Sequence, residues 1–440
     1  MRITASGVAA RTAGTLVGAD STAEGIAFDS RALVRGQAFV AVVGERDGHD
    51  FLAAAVEAGA AFLIVGRGRS VEGTTCVEVD DTSAAVTAVG HMCRERLRET
   101  AAGRVIAVTG SAGKTSTKDM VLAVLRAHWP GAHGAHMSFN NDLGVPVTLA
   151  NAPDDCPAVV VEMGMRGHGE ISRLCEVARP DIGIVTVVGD AHGERVGGID
   201  GVARAKAELP AALPAGGTAV LNIDDERVAA MERSTGARVS TYGSVEWADF
   251  VWSVVGVDAD GLCTIDISHG GQSARVTVPV PGVHMASNAC AAVAAGVAAG
   301  VPFDVAVRAI SSAGVAPGRM EWKTAPGGVR ILDDTYNANP SSVITALQAL
   351  RTAEGDHHVA VLGAMAEISD PETSHREVWR VACDLEIDVI ALETDLYGPR
   401  ASSVEEAVAS VRGYGPGTVV LVKGSRSSRT ERVVDALKAR

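Results

Sequence analysis

The stretch Val105-Ile106-Ala107-Val108-Thr109-Gly110-Ser111-Ala112-Gly113-Lys114-Thr115-Ser116-Thr117 leaves this chain little choice of local fold. A run of β-favouring apolar residues enters a glycine-bounded turn. Helical spacing then takes over from Lys118 through Leu125. Strand, glycine loop and helix form the setting of a phosphate-binding loop. Glycines let the backbone curl so that several N–H groups converge on one anion, and the helix start adds partial positive charge. In such a loop Gly110, Ser111, Ala112, Gly113 and Ser116 lie along the phosphates. Lys114 reaches the β- and γ-phosphates, and the Thr115 hydroxyl sits on Mg²⁺. The spacing Gly-x-x-Gly-Lys-Thr is two residues shorter than the usual form.

At 440 residues the chain has room for two to four domains. Aromatic residues make up only 4%, so the cores must be built from Ala, Val, Leu and Ile, and a base-stacking surface is disfavoured. A formal net charge of -14 argues against non-specific binding to nucleic acid or an anionic membrane. The seven cysteines form no C-x-x-C pair and are odd in number, which suits free thiols in a reducing cytoplasm. The N-terminal residues contain no apolar run of the signal-peptide kind, and the alanine-rich stretch 286–301 is too short to span a bilayer.

The pattern predicts an α/β protein of three domains. Residues 1–98 read as a small α/β unit, with strands at 38–43 and 61–65 around a helix at 51–58. Residues 99–314 alternate strand and helix, as a parallel sheet covered on both faces does. Its strands are expected at 105–108, 158–161, 182–188 and 218–221. A β-rich stretch follows at 250–280, then a helix at 286–299. Residues 315–440 read as a second, smaller doubly wound sheet of Rossmann-like pattern, beyond a boundary near Gly314-Val315-Ala316-Pro317-Gly318.

Several residues at predicted strand ends could complete a metal–phosphate site, because open α/β sheets bind ligands there. Glu162 ends the strand 158–161, and His192 follows the strand 182–188. Taken alone, Glu162 could be a solvated strand-end carboxylate, His192 a surface histidine, and Lys206 a lysine on the outside of a helix. Asn140-Asn141 in Asn-Asn-x-x-Gly-x-Pro is either turn chemistry or a set of amide donors for substrate. Asp29-Ser30-Arg31 sits in a polar turn. Asp333 and Asn337 follow a strand of the last domain, Arg319 lies just past the boundary, and Lys423 and Arg426 end another strand with two cations.

Together these motifs resemble the Mur ligases, the ATP-dependent amide-forming enzymes of peptidoglycan assembly. The resemblance runs from Asp29-Ser30-Arg31 and Asp47-Gly48-His49-Asp50-Phe51 through the phosphate loop, Asn140 to Pro146, Glu162-Met163-Gly164, His192, Lys206 to Glu208 and His284 to Asn288. It continues through Gly318-Arg319-Met320-Glu321 and Asp333 to Pro340, and ends at Lys423 to Arg426. Tyr336-Asn337-Ala338-Asn339-Pro340 and the Asn140 motif are the most telling for the dipeptide-adding branch.

The resemblance implies that the first domain holds the UDP end of a nucleotide substrate near Asp29, Ser30 and Arg31. The central domain would hold ATP, and the last domain would close over the site and take the amino substrate. It implies UDP-muramoyl-tripeptide and D-alanyl-D-alanine as the molecules joined, through an acyl phosphate. Thr115 and Glu162 would hold one Mg²⁺, and His192 with an N6-carboxylated Lys206 a second. Asn288 would contact adenine, Arg319 the phosphates, Asp333 the ribose, and Asn337 the region of the γ-phosphate. Lys423 and Arg426 would meet a substrate carboxylate, and Asn140 and Asn141 would contact substrate. A cytoplasmic monomer without nucleic-acid or membrane partners is expected.

Departures from the family pattern at Met285, Ala364 and 193–197 keep open a related ligase joining a different amine or acid in specialised metabolism. A non-catalytic nucleotide-binding partner would have little need for Lys114, Thr115, Glu162, His192 and Lys206 together.

Overall fold

The computed structural model describes residues 1–99, 104–135, 138–189, 193–314, 316–366, 368–398 and 402–439. His192 therefore lies outside the described residues.

The N-terminal unit combines an antiparallel pair, Arg2–Thr4 with Thr22–Glu24, and a five-stranded sheet. That sheet is ordered Thr15–Val17, Cys76–Val79, Leu63–Gly66, Ala38–Val40, Ile26–Ala27. The strand predicted over 38–43 stops at Val40. There the chain turns, with the Val42 N–H donating to the Val40 carbonyl and the Gly48 N–H to the Val42 carbonyl.

A nine-stranded sheet forms the centre. Its order is Gln272–Pro281, Leu262–His269, Phe250–Val257, Arg238–Gly243, Thr218–Asn222, Ile182–Val185, Arg104–Thr109, Ala158–Glu162, His133–Gly134. Seven strands run parallel, and the last two in sequence add an antiparallel meander at one edge. The expected parallel sheet is thus a mixed one. Its strands Arg104–Thr109 and Ala158–Glu162 are buried on both faces, as their unbroken Val/Ile runs require.

Alternate side chains of these strands join different cores. Val105, Ala107, Val159 and Val161 share a core with Ile3, Val8, Val89 and Leu97 of the N-terminal unit. Ile106, Val108 and Val160 face the helices Lys114–His128 and His284–Ala299. The second helix is almost all small residues, which brings it close: a Cβ on Gly296 would lie 2.3 Å from Val124 Cγ1.

The C-terminal sheet is ordered Glu321–Thr324, Arg330–Asp334, Thr418–Lys423, His357–Gly363, Asp388–Leu392. Four strands are parallel and buried on both faces, as predicted. The antiparallel edge strand Glu321–Thr324 was not foreseen. Among the described residues, no helix is long and apolar enough to cross a membrane.

Candidate active site

The parallel order sets Arg104–Thr109 between Ala158–Glu162 and Ile182–Val185, so three strands deliver their carboxyl ends to one place. The glycine loop emerges there. Gly110 has φ 150° and Gly113 φ 78°. A Cβ on Gly110 would stand 1.8 Å from Thr186 Oγ1, and one on Gly113 2.6 Å from Asn288 Oδ1. Both positions therefore need glycine for space as well as for conformation.

The segment after Val185 is not the extended strand that the sequence suggested. It turns to grip the loop. Thr186 Oγ1 donates to the Ala112 carbonyl at 2.6 Å, the Ser111 N–H donates to the Val187 carbonyl at 2.7 Å, and the Gly189 N–H donates to Ser111 Oγ at 2.9 Å.

Glu162 is buried rather than solvated, at 1% exposure. Its Oε2 accepts from Thr115 Oγ1 at 2.7 Å and its Oε1 from Asn140 Nδ2 at 2.9 Å. Ser138 Oγ lies 3.0 Å from Thr115 Oγ1 and accepts from Arg319 Nη2 at 3.2 Å. Arg319 also stacks over the Tyr336 ring, 4.1 Å from its centroid. Lys114 curls back and donates from Nζ to the Gly110 carbonyl at 2.8 Å. Burial lowers its affinity for a proton, Glu162 opposes that shift, and Arg319 adds to it.

Lys206 is no surface lysine. It ends the helix Gly198–Lys206, is 3% exposed and lines the same cleft. No carboxylate pairs with it among the described residues. Burial, and then the charge of Lys114, pushes its amine well below the usual lysine range.

The last domain forms the opposite wall. Asn339 caps the helix Pro340–Thr352 and donates from Nδ2 to the Ser111 carbonyl at 3.3 Å, which ties this domain to the phosphate loop. Lys423 Nζ donates to Asp334 Oδ2 at 2.5 Å and to the Asn337 carbonyl at 2.8 Å. Arg426 lies 3.6 Å from Glu431. Asp333 sits behind the wall: its carboxylate accepts from Thr335 Oγ1 at 2.7 Å and Lys323 Nζ at 2.5 Å, and it is Asp334 that lines the cleft.

His284 lines the cleft too, a residue whose place the sequence did not reveal. Burial lowers its pKa to about 4, which leaves a neutral imidazole facing Asp334 and Lys423.

The cleft between these walls holds about 790 Å³. Besides Lys206, five basic side chains line it against four carboxylates, a dense positive presence in a chain of net charge -14. Such a cleft concentrates anions. Asn141 lines it as well, while its Oδ1 accepts from the Leu143 and Gly144 N–H groups at 3.2 and 2.9 Å. Asn288 lies behind Gly113, its Nδ2 3.4 Å from Met285 Sδ. The structure does not bring Asp29, Ser30 and Arg31 to this cleft. Arg31 Nη2 pairs with Asp29 Oδ2 at 2.7 Å, on the surface of the N-terminal unit.

A family model described as "Mur ligase middle domain" matches residues 108–296, and one described as "Mur ligase, glutamate ligase domain" matches residues 318–426. The chain is similar to the UDP-N-acetylmuramoyl-tripeptide--D-alanyl-D-alanine ligases of Mycobacterium tuberculosis and Escherichia coli. It is 34% identical to the first, over 94% of this chain and 92% of that one. It is 32% identical to the second, over 97% and 96%. Among solved structures it superimposes on MurF from Acinetobacter baumannii with a TM-score of 0.86, 28% identity and coverage of 100% and 99%. MurF ligase from Thermotoga maritima in complex with ADP matches with a TM-score of 0.79, 26% identity and coverage of 94% and 97%.

Proposed function

The chain belongs to the Mur ligase family, and from that premise we propose that it uses ATP to join D-alanyl-D-alanine to UDP-N-acetylmuramoyl-tripeptide in peptidoglycan precursor synthesis. The observation that carries this reading is one cleft in which Lys114, a Thr115–Glu162 pair and a buried, carboxylate-free Lys206 stand together.

A carboxylate is a poor acyl donor because its leaving group would be oxide. Transfer of the γ-phosphoryl of ATP onto the tripeptide carboxylate removes that obstacle by making an acyl phosphate. The amine of the dipeptide then attacks the carbonyl, phosphate leaves, and an amide remains. The loop N–H groups and Lys114 hold the phosphates in line and offset charge gathering on them. Arg319, braced on Tyr336 and Ser138, meets the phosphates from the last domain. The Asn339–Ser111 contact holds that domain against the loop, where it excludes water from the activated acyl group.

Thr115 and Glu162 are the residues that would hold Mg²⁺. Their oxygens, 2.7 Å apart, are near the spacing of about 2.9 Å between adjacent ligands on an octahedral Mg²⁺. Among the described residues, no group of three His, Cys, Asp or Glu side chains forms an all-protein cage. That suits a metal held by one carboxylate, a hydroxyl, water and substrate phosphates. Bound there, Mg²⁺ would neutralise charge on the transferring phosphoryl group.

A second cation falls to Lys206 in N6-carboxylated form, with His192. A buried amine with a lowered proton affinity is free to attack CO₂; a C–N bond forms, the nitrogen releases one proton to solvent, and the product is a carboxylate-like anion. The adenine role of Asn288 and the γ-phosphate role of Asn337 belong to the same reading. A ribose role for Asp333 requires its release from Lys323 and Thr335. Asp29, Ser30 and Arg31 serve the UDP end, and Lys423, Arg426, Asn140 and Asn141 the remaining polar groups of the substrates. The enzyme works in this reading as a cytoplasmic monomer.

The test is phosphate release with ATP, Mg²⁺ and UDP-muramoyl-tripeptide, with and without D-alanyl-D-alanine, and the product mass recorded. Dipeptide-dependent release and a product heavier by the dipeptide less water are expected. ATP binding without dipeptide-dependent release would reject the substrate assignment and point to another amine or acid.

A further inference from the structure

The central sheet has a second cationic cleft at its opposite end. Strand Arg104–Thr109 runs from one to the other: Thr109 leads into the phosphate loop, and Arg104 lines the second cleft. A six-residue strand separates the two by roughly 17 Å. The second cleft holds about 390 Å³.

Four arginines from three segments line it: Arg94 and Arg98 of the helix Thr82–Glu99, Arg104, and Arg238 at the start of the strand Arg238–Gly243. A single carboxylate, Asp181, faces them. Asp181 Oδ2 is shared between Arg94 Nη2 at 3.2 Å and the Val105 N–H at 3.1 Å. Among the described residues, Arg98, Arg104 and Arg238 have no carboxylate partner. Arg104 instead stacks on Trp129, 4.9 Å from the ring centroid.

Arg94 is the organising group. Its side chain is 2% exposed and is held by the Ala178 carbonyl at 2.6 Å from Nε and the Arg179 carbonyl at 2.7 Å from Nη2. These bonds fix the plane of the guanidinium. Its Nη1 is buried and has no hydrogen-bond partner. A buried cationic donor without an acceptor is a standing cost to the fold, and it is relieved when an anion supplies the acceptor.

We propose that this cleft binds a small oligophosphate anion, at a site separate from the phosphate loop. Guanidinium groups favour phosphate oxygens because their paired N–H donors match them two at a time. Four arginines against one aspartate leave a clear excess of positive charge in an acidic chain, and they surround a volume larger than one orthophosphate needs. A free oligophosphate and the diphosphate of a nucleotide offer the same chemistry.

The experiment is calorimetric titration of the full chain carrying Lys114→Ala, first with pyrophosphate and then with ADP. That substitution weakens the phosphate loop and leaves the second cleft intact. Binding of one pyrophosphate is expected, weakened at least tenfold by adding Arg104→Ala with Arg238→Ala, and weakened also by salt. ADP displacing pyrophosphate at similar concentration would identify the nucleotide diphosphate as a source, and ADP failing to compete would identify free oligophosphate. Arg238 is exposed and Arg104 half-buried against Trp129, and unchanged melting temperature verifies folding of the double variant. Arg94→Ala is avoided because it would free the carbonyls at 178 and 179. Absent pyrophosphate binding in the Lys114→Ala chain, or binding indifferent to both arginine substitutions, overturns the proposal. Neither result bears on the ligase reading, which rests on the other end of the sheet.

Discussion

On the central-domain wall of the large cleft, Lys114 donates only to a backbone carbonyl and Lys206 is buried with no carboxylate partner among the described residues. On the last-domain wall, Lys423 is equally buried but holds Asp334 at 2.5 Å, and Lys323 bridges Asp333 and Glu321. The first wall leaves Lys114 without a counter-ion among the described residues, and Lys206 with a lowered proton affinity. The second pairs its lysines with its own carboxylates, which holds the turn between Asp333 and Pro340 in shape, and leaves Arg319 without a carboxylate partner among the described residues. In the proposed reading Lys114 and Lys206 serve chemistry, whereas Lys423, assigned to substrate as well, also holds its own wall together through Asp334, and substitution should separate the two.

The largest effect is expected from Lys114→Ala. It should lower kcat at least about 100-fold, the scale of losing one preorganised donor to a charged transition state. Steady-state phosphate release measures this, and a near-normal rate would remove Lys114 from the chemistry. Next, Lys206→Ala should be inactive, with part of the activity returning on addition of short carboxylic acids that replace the carbamate oxygens. Carbon-13 NMR after incubation with labelled bicarbonate should show a carbamate signal in the native chain and none in the variant.

Stability should run the other way. Lys423→Met strands the Asp334 carboxylate, which is 13% exposed, and should cost roughly 3 kcal/mol. Lys206→Met removes a buried amine that has no ion-pair partner and should be neutral or stabilising. Urea denaturation of the two variants compares them directly, and equal losses would erase the contrast between the walls.

A smaller effect concerns His284, which lies between the walls. Its folded pKa of about 4 is below the ordinary histidine value of 6.5, because burial disfavours the charged ring. The unfolded chain then binds more protons between these values. Stability is full above about pH 6.5 and declines as pH falls toward 4, by at most about 3 kcal/mol from this group. The fall in melting temperature between pH 7 and pH 4.5 should therefore be smaller in His284→Asn than in the native chain. The smallest change is expected outside the cleft. Asp260→Asn removes the exposed ion pair to Arg330 and should shift stability by under about 1 kcal/mol, with kcat unchanged.

The phosphate loop was legible because strand, turn and helix are contiguous, and each obeys a local rule. Glu162 was legible as a strand-end carboxylate, though not its burial or its bond to Thr115. Thr186 was missed because a threonine after a strand carries no sign that its hydroxyl will pin a loop whose carbonyl lies 74 residues earlier. Asp333 and Asp334 are adjacent in sequence, and only the pleat of their strand decides which faces the cleft.

The sequence by itself determined the three α/β units, the central strand and its loop, and the chemistry that those residue types can perform. Periodicity and glycine placement act over a few residues, so they can be read locally. Only the tertiary structure decided that Lys206, like Arg94 and Lys118, is buried while helical Arg11 and Arg308 are exposed, and that Asn339 reaches Ser111. It alone decided that Arg94, Arg98, Arg104 and Arg238 share one cleft. Burial and charge proximity depend on which elements pack together, and strand order, set by the whole core, fixes that.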